Sequence, residues 1–130
     1  MAEVFVLGVG MTAFGKRSET LPELMAEAAE AALESSGRET LDAMYVGVMN
    51  PEEFSGESNI AAAITDYLGL WGLPATRVET ASATGAAALH AAFYAVASGY
   101  LRSVLVLAGE KMTHLSTSRT TRILAQVIER

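Results

Sequence analysis

The chain has 130 residues, 51% of them hydrophobic, no cysteine and a formal charge of −6. That is enough apolar chain for one folded domain, and it excludes disorder, a disulfide or thiolate–metal framework and a cysteine nucleophile, while the acidic balance argues against nucleic acid as a partner. With no long apolar run and no basic, apolar-cored leader in the sequence, the expectation is a cytoplasmic protein without a membrane partner.

Val4 to Val9 (VFVLGV), closed by Gly10, is a continuous apolar run that predicts a strand buried on both faces. Its glycines at 8, 10 and 15 are spaced G-x-G-x-x-x-x-G, and the polar stretch Lys16 to Glu19 follows where a dinucleotide fold would start a helix, so no nicotinamide cofactor is expected. Thr20 with Glu23 is a capping box, Pro22 suits a first turn, and Gly37 marks a stop. Within that helix Leu21, Leu24, Met25, Ala28 and Ala32 form the face toward a sheet, and the glutamates at 23, 27, 30 and 34 form the solvent face. Met44 to Met49 (MYVGVM) predicts a second strand ended by Asn50 and Pro51. A second helix follows over about Asn59 to Leu68, with Ile60, Ala63, Ile64 and Tyr67 on one side and Gly69 as its stop. Thr76 to Thr80 (TRVET) reads as a third strand and Ser103 to Ala108 (SVLVLA), closed by Gly109, as a fourth.

The helix between those last two strands differs in kind. Ala83 to Ser98 (ATGAAALHAAFYAVAS) holds no ionised side chain, and only five charged residues, Glu57, Asp66, Arg77, Glu79 and Arg102, lie anywhere between 55 and 109. A helix apolar all round is expected to be buried on all sides. An open sheet with helices on two faces leaves the outer side of each helix to water, so a second layer from outside this chain is expected over it. Beyond the fourth strand Ile123, Leu124, Val127 and Ile128 recur at the helical period, with Arg119, Arg122 and Arg130 along the same stretch. The organisation is therefore a single domain over residues 1–115 and a helical extension over 116–130. Strands alternating with helices predict an α/β fold with a doubly wound, mostly parallel four-stranded sheet and right-handed crossovers.

Few side chains point to chemistry. His90 in the apolar helix reads as a packed interior residue or as a general base, and His114 after the fourth strand as a solvated loop residue or a functional one. A Ser82–His90 couple is excluded, because eight residues of helix span about 12 Å. Without cysteine, and with two dispersed histidines, no metal site is expected. The informative segment is the third strand running straight into the apolar helix, Val78-Glu79-Thr80-Ala81-Ser82-Ala83-Thr84-Gly85. The apex of such a turn sits on a helix N-terminus, where backbone amides and the helix dipole favour an anion. Ser82 is then either the position of an acyl intermediate or the plain N-cap of the helix.

At this turn the sequence resembles the N-terminal part of the thiolase family, in its acetyl-CoA acetyltransferase and sterol-carrier-protein-type branch. VFVLGVGMTAFGKR, VETASATGAAALHAAFYAVASG and SVLVLAGEKMTHL carry the likeness in the family's order and spacing, over about residues 3 to 115. The resemblance implies acyl transfer between coenzyme A thioesters by Claisen condensation or its reverse, with a coenzyme A thioester as substrate, no covalently bound cofactor and no coenzyme A contact assigned to these residues. The family pattern is close to V-E-x-A-C-x-S/T-G, and Ser82 stands where its nucleophilic cysteine would be. The family's base lies in a C-terminal half that these residues do not include. The resemblance therefore implies a truncated member, or one subunit of a split enzyme, inactive alone and with its apolar helix made to be sandwiched by a second half. The implied partners are a separate C-terminal-half chain or a second copy, the latter pairing through Thr76, Arg77, Val78, Glu79, Thr80 and Ala81 across a two-fold axis. Two other readings stay open: a scaffold protein that keeps the fold without the chemistry, and a cysteine-less thiolase-like aldolase that acts with a partner.

Overall fold

The computed structural model describes residues 3–128. The elements in chain order are α1 (Leu21–Ser36), β1 (Ala43–Gly47), α2 (Pro51–Ser55), α3 (Ile60–Tyr67), β2 (Ala75–Val78), α4 (Thr84–Ala97), β3 (Val104–Ala108) and α5 (Thr117–Ala125). The sheet has the order β2-β1-β3, with both pairings parallel; Gly47 at the end of β1 is level with Val78 of β2 and Ala108 of β3. Parallel neighbours require crossovers, and α3 and α4 supply them.

The capping box at the start of α1 is formed on both sides, the Glu23 amide donating to Thr20 Oγ1 and the Thr20 amide to Glu23 Oε2. Gly37 ends the helix at φ 62°, a left-handed conformation suited to glycine. On the sheet face toward α1 and α3, Met44, Val46, Val48, Leu105 and Leu107 pack with Leu21, Met25, Ala29, Ile60 and Ile64 into one core cluster. Alternation along β1 sends Tyr45 and Gly47 to the opposite face, against α4. There Gly47 lets the helix come close: a Cβ on it would stand 3.0 Å from the Thr84 carbonyl oxygen and 3.2 Å from Ala88 Cβ. Lys111 Nζ donates to the carbonyl oxygens of Arg17 and Glu19, tying the entry of α1 to the segment after β3.

Three expectations need correction. Val4 to Val9 is not a strand, and the sheet has three strands rather than four. These residues run along α1 with Phe5, Val6 and Val9 more than 70% exposed. The reason lies in the glycines: a Cβ on Gly8 would stand 2.4 Å from the Ala32 carbonyl oxygen, and one on Gly10 2.1 Å from that of Ala28. The backbone there lies directly on the helix, and β1 already has β2 and β3 on its two edges. The same contact turns Ala28 toward the N-terminal arm, while Ala32 touches both the arm and the core and the fully buried face of α1 runs through Leu21, Met25, Ala26 and Ala29. Lastly, α4 is buried on one side only. Ala88 and Ala92 are within 2% of full burial against the sheet, whereas Leu89, Phe93 and Tyr94 are 41–64% exposed on the outer side. None of the described residues covers that face, so burial on all sides is not what the structure has.

The helix α5 packs Ile123 against Met49 and Phe54, forming a second, smaller apolar cluster. Arg130, assigned to this helix from sequence, lies outside the described residues. Among the described residues no helix is long and apolar enough to cross a membrane.

Candidate functional site

The C-terminal ends of the three strands converge with the N-terminus of α4, the side on which open parallel sheets place their functional groups. Leaving β2, the chain makes a tight turn in which the Ala83 amide donates to the Thr80 carbonyl at 3.2 Å and the Thr84 amide to the Ala81 carbonyl at 3.1 Å. Ala81 is held there at φ 51°, a left-handed conformation that costs a non-glycine residue about 1–2 kcal/mol. Thr84 sustains it. Its buried hydroxyl accepts from the Thr80 amide at 2.9 Å and donates to the Ala81 carbonyl at 2.6 Å.

Ser82 sits at the apex, exposed, and its hydroxyl makes no hydrogen bond among the described residues. The reading of Ser82 as the plain N-cap is not what the structure has: α4 begins at Thr84, and the cap position is Ala83, with no side-chain bond. The amides of Gly85 and Ala86 in the first turn likewise find no partner among the described hydrogen bonds. They remain donors at the positive end of a fourteen-residue helix.

The turn after β1 is held from both sides. The Met49 amide donates to Glu110 Oε1 at 2.5 Å and the Asn50 amide to Glu79 Oε1 at 3.2 Å. Arg77 bridges Glu79 and Glu52, and its guanidinium keeps the Glu52 carboxyl below its usual pKa. Glu110 is solvent-exposed over part of its surface, but its carboxyl end is drawn in against the Met49 turn. Desolvation there pushes its pKa up to about 7, with the nearby Glu79 charge adding to the rise and the Met49 hydrogen bond and Arg77 opposing it. A raised carboxyl pKa means that the folded chain keeps a proton that the unfolded chain has released. This stabilisation is complete below the ordinary value of 4.5 and is lost as pH rises through about 7. Glu110→Gln keeps the acceptor without the charge. Its thermal midpoint is expected to run parallel to that of the parent below pH 4.5 and to exceed it by a few degrees at pH 8, as read by circular dichroism.

His114 is a tether: its Nε2–H donates to the Phe54 carbonyl oxygen at 2.8 Å and joins the loop after β3 to α2. His90 lies on the exposed side of α4, its ring 6.2 Å from that of Tyr94, so it is not an interior residue within this chain. Of the residues assigned to a pairing surface, Thr76, Arg77 and Val78 belong to β2, an edge strand with one free side, while Glu79, Thr80 and Ala81 continue into the turn. Thr84 and Glu110 went unassigned in the sequence. A threonine two residues beyond Ser82 and a glutamate directly after the glycine that closes a strand were the available signals. Among the described residues no group of three or more metal-ligating side chains is present.

Comparison with known proteins follows the same outline. Residues 4–129 match the thiolase N-terminal domain family. The chain is 42% identical over 116 residues to the acetyl-CoA acetyltransferases of Methanothermobacter thermautotrophicus and Methanocaldococcus jannaschii, covering 87% of this chain and 30% of each of them. It is 34% identical over 119 residues to human (Homo sapiens) sterol carrier protein 2, covering 87% of this chain and 21% of that protein. The chain thus spans less than a third of the length of these relatives. Among solved structures, 3-oxoacyl-[acyl-carrier-protein] synthase III from Aquifex aeolicus VF5 superposes with a TM-score of 0.64 at 23% identity, over 75% of this chain and 32% of that one. The synthase III of Pseudomonas aeruginosa PAO1 gives 0.64 at 25% identity, over 82% and 33%.

Proposed function

The chain belongs to the thiolase family, and on that premise we propose that it carries the acyl-acceptor turn of a coenzyme A acyltransferase and performs little or no chemistry by itself. The observation that carries the reading is the turn over Thr80 to Thr84: an exposed, unpaired hydroxyl at its apex, a strained residue before it and free amides at the start of α4 behind it. The substrate class is a coenzyme A thioester, in line with the names of the acetyl-CoA acetyltransferases that this chain resembles.

In such a reaction the heteroatom at position 82 attacks the thioester carbonyl carbon, the carbon–sulfur bond breaks, and coenzyme A leaves as its thiol once protonated. The oxyanion formed on the way is stabilised by amide donors at the helix start. A thiol with a pKa near 8.5 is ionised with help from a helix terminus. A serine hydroxyl is not, since the helix end supplies only about half a charge. It needs a positioned base, and among the described residues no histidine or carboxylate hydrogen-bonds to Ser82. The base is therefore assigned outside these residues, either to a C-terminal half like that of the family or to a second copy. The uncovered face of α4 is where the former would pack, and the free edge of β2, over Thr76 to Ala81, is where the latter would pair.

The test is chemical. Ser82→Cys incubated with acetyl-CoA should gain one acetyl group per chain by intact-mass measurement, while the parent stays unmodified and does not cleave acetoacetyl-CoA at ordinary thiolase rates. Rapid cleavage by the parent alone would overturn the proposal. The missing base equally suits a non-catalytic interaction protein, and failure of Ser82→Cys to acetylate even with candidate partner chains would favour that reading. Retro-aldol cleavage by the parent with a partner would point instead to the aldolase.

A further inference from the structure

Thr84 holds the Ala81 turn from the side of α4. The underside of the turn is carried by a different part of the chain. Ala81 packs on the small apolar cluster of Met49, Phe54 and Ile123, in which Met49 is 4% and Phe54 2% exposed. Met49 and Phe54 both belong to the connection that leaves β1 through α2, so the seat of Ala81 is only as fixed as that connection.

The segment that follows β3 grips this connection at both ends. Glu110 accepts from the Met49 amide at 2.5 Å, and His114 donates to the Phe54 carbonyl oxygen at 2.8 Å. The parallel register brings these groups together: Gly47, Val78 and Ala108 are level, and Met49, Thr80 and Glu110 each lie two residues farther on. Because β1 ends at Gly47, the Met49 amide finds its acceptor in a side chain.

Two strained turns also brace each other here. Among the described residues Asn50 and Ala81 are the two non-glycine residues with left-handed backbones, at φ 45° and 51°. Glu79, two residues before Ala81, accepts from the Asn50 amide at 3.2 Å, while Met49, directly before Asn50, lies against Ala81. Such conformations persist where the surroundings over-determine them.

We propose that Glu110 is a positioning residue for position 82: by fixing the Met49 amide it keeps the Met49 side chain against Ala81, and with it the residue at 82 at the start of α4. Glu110 touches no reacting atom. The proposal takes from the acyl-transfer reading only that position 82 is the reacting one.

The thiol of Ser82→Cys reports this geometry without a thioester, and the chain has no other cysteine. Alkylation by iodoacetamide across a pH series, followed by intact mass, gives the pKa of that thiol. Held at the helix start it should titrate at about 7.5, against about 8.5 for an ordinary thiol. In the Ser82→Cys background Glu110→Ala should return it to about 8.5. Glu110→Asp keeps the charge but shortens the reach to Met49, and should raise it likewise, so the test does not hang on the fold of the alanine variant. Glu110→Gln keeps the acceptor and should not raise it. Met49→Ala should act as Glu110→Ala does, and the two together should go no further. Ile64→Val weakens the main core away from the turn and should leave the thiol unmoved, which separates positioning from stability.

A direct effect of charge has the opposite sign. Around the Glu110 carboxyl stand Glu79 and Arg77, the latter bridged to Glu52. Removing one negative charge from this group would make the thiol more acidic in Glu110→Ala as in Glu110→Gln. That outcome, or a thiol pKa that neither Glu110→Ala nor Glu110→Asp moves, overturns the proposal. Failure of Ser82→Cys to accept an acetyl group from acetyl-CoA would instead count against the acyl-transfer reading and leave the alkylation result standing, so the two fail separately.

Discussion

Met44→Ala is expected to lower the unfolding free energy by about 3 kcal/mol, read as a reduced urea midpoint with an unchanged slope. Met44 is fully buried on the central strand, where β1 contacts both neighbours and its side chain enters the cluster formed with α1 and α3. Truncation removes the burial of the side chain and leaves a cavity that a strand paired on both edges cannot close by moving. The loss is large relative to a typical domain stability of about 5–15 kcal/mol. A cost below about 1 kcal/mol would mean that the core lies elsewhere than around β1.

The elements that could be read directly from the amino-acid order are those whose signals are local. The capping box at Thr20, the glycine stop at Gly37 and the apolar runs of β1 and β3 all operate over a few residues, and each stands where expected. Val4 to Val9 shows the limit. An apolar run states that a segment favours burial or pairing, but it does not name the partner, and here the close approach of Gly8 and Gly10 to α1 competes with strand formation. The helix α2 has only five residues, too few for a period to emerge. The uniform apolarity of α4 led to an expectation of burial on all sides, whereas the described residues cover its inner side alone.

The site divides along the same line. Position 82 was legible because strand, small residues and helix follow one another without a break. The left-handed Ala81, the cap at Ala83 and the raised pKa of Glu110 were not, because each depends on how β1, β2 and β3 bring their ends together. Glu79 and Glu110 follow different strands, β2 and β3, and come together at the two consecutive amides of Met49 and Asn50.

Thr84→Val tests that geometry at the turn itself. Valine keeps the shape of threonine and the methyl group that faces Gly47, so packing against β1 is retained while the hydroxyl is removed. The Thr80 amide and the Ala81 carbonyl then lose their side-chain partner, at an expected cost of about 2 kcal/mol by denaturant titration. Thr84→Ser supplies the control, since it restores both hydrogen bonds and gives up only the methyl contact. The consequence for chemistry follows from the strain at Ala81. With only the Thr84 amide left to hold its carbonyl, the residue is expected to relax from φ 51° and to draw position 82 away from the start of α4. In a Ser82→Cys background, Thr84→Val should therefore slow acetylation by acetyl-CoA, and Thr84→Ser should not. Equal acetylation rates in all three would mean that the helix start, and not the turn, positions the reacting atom.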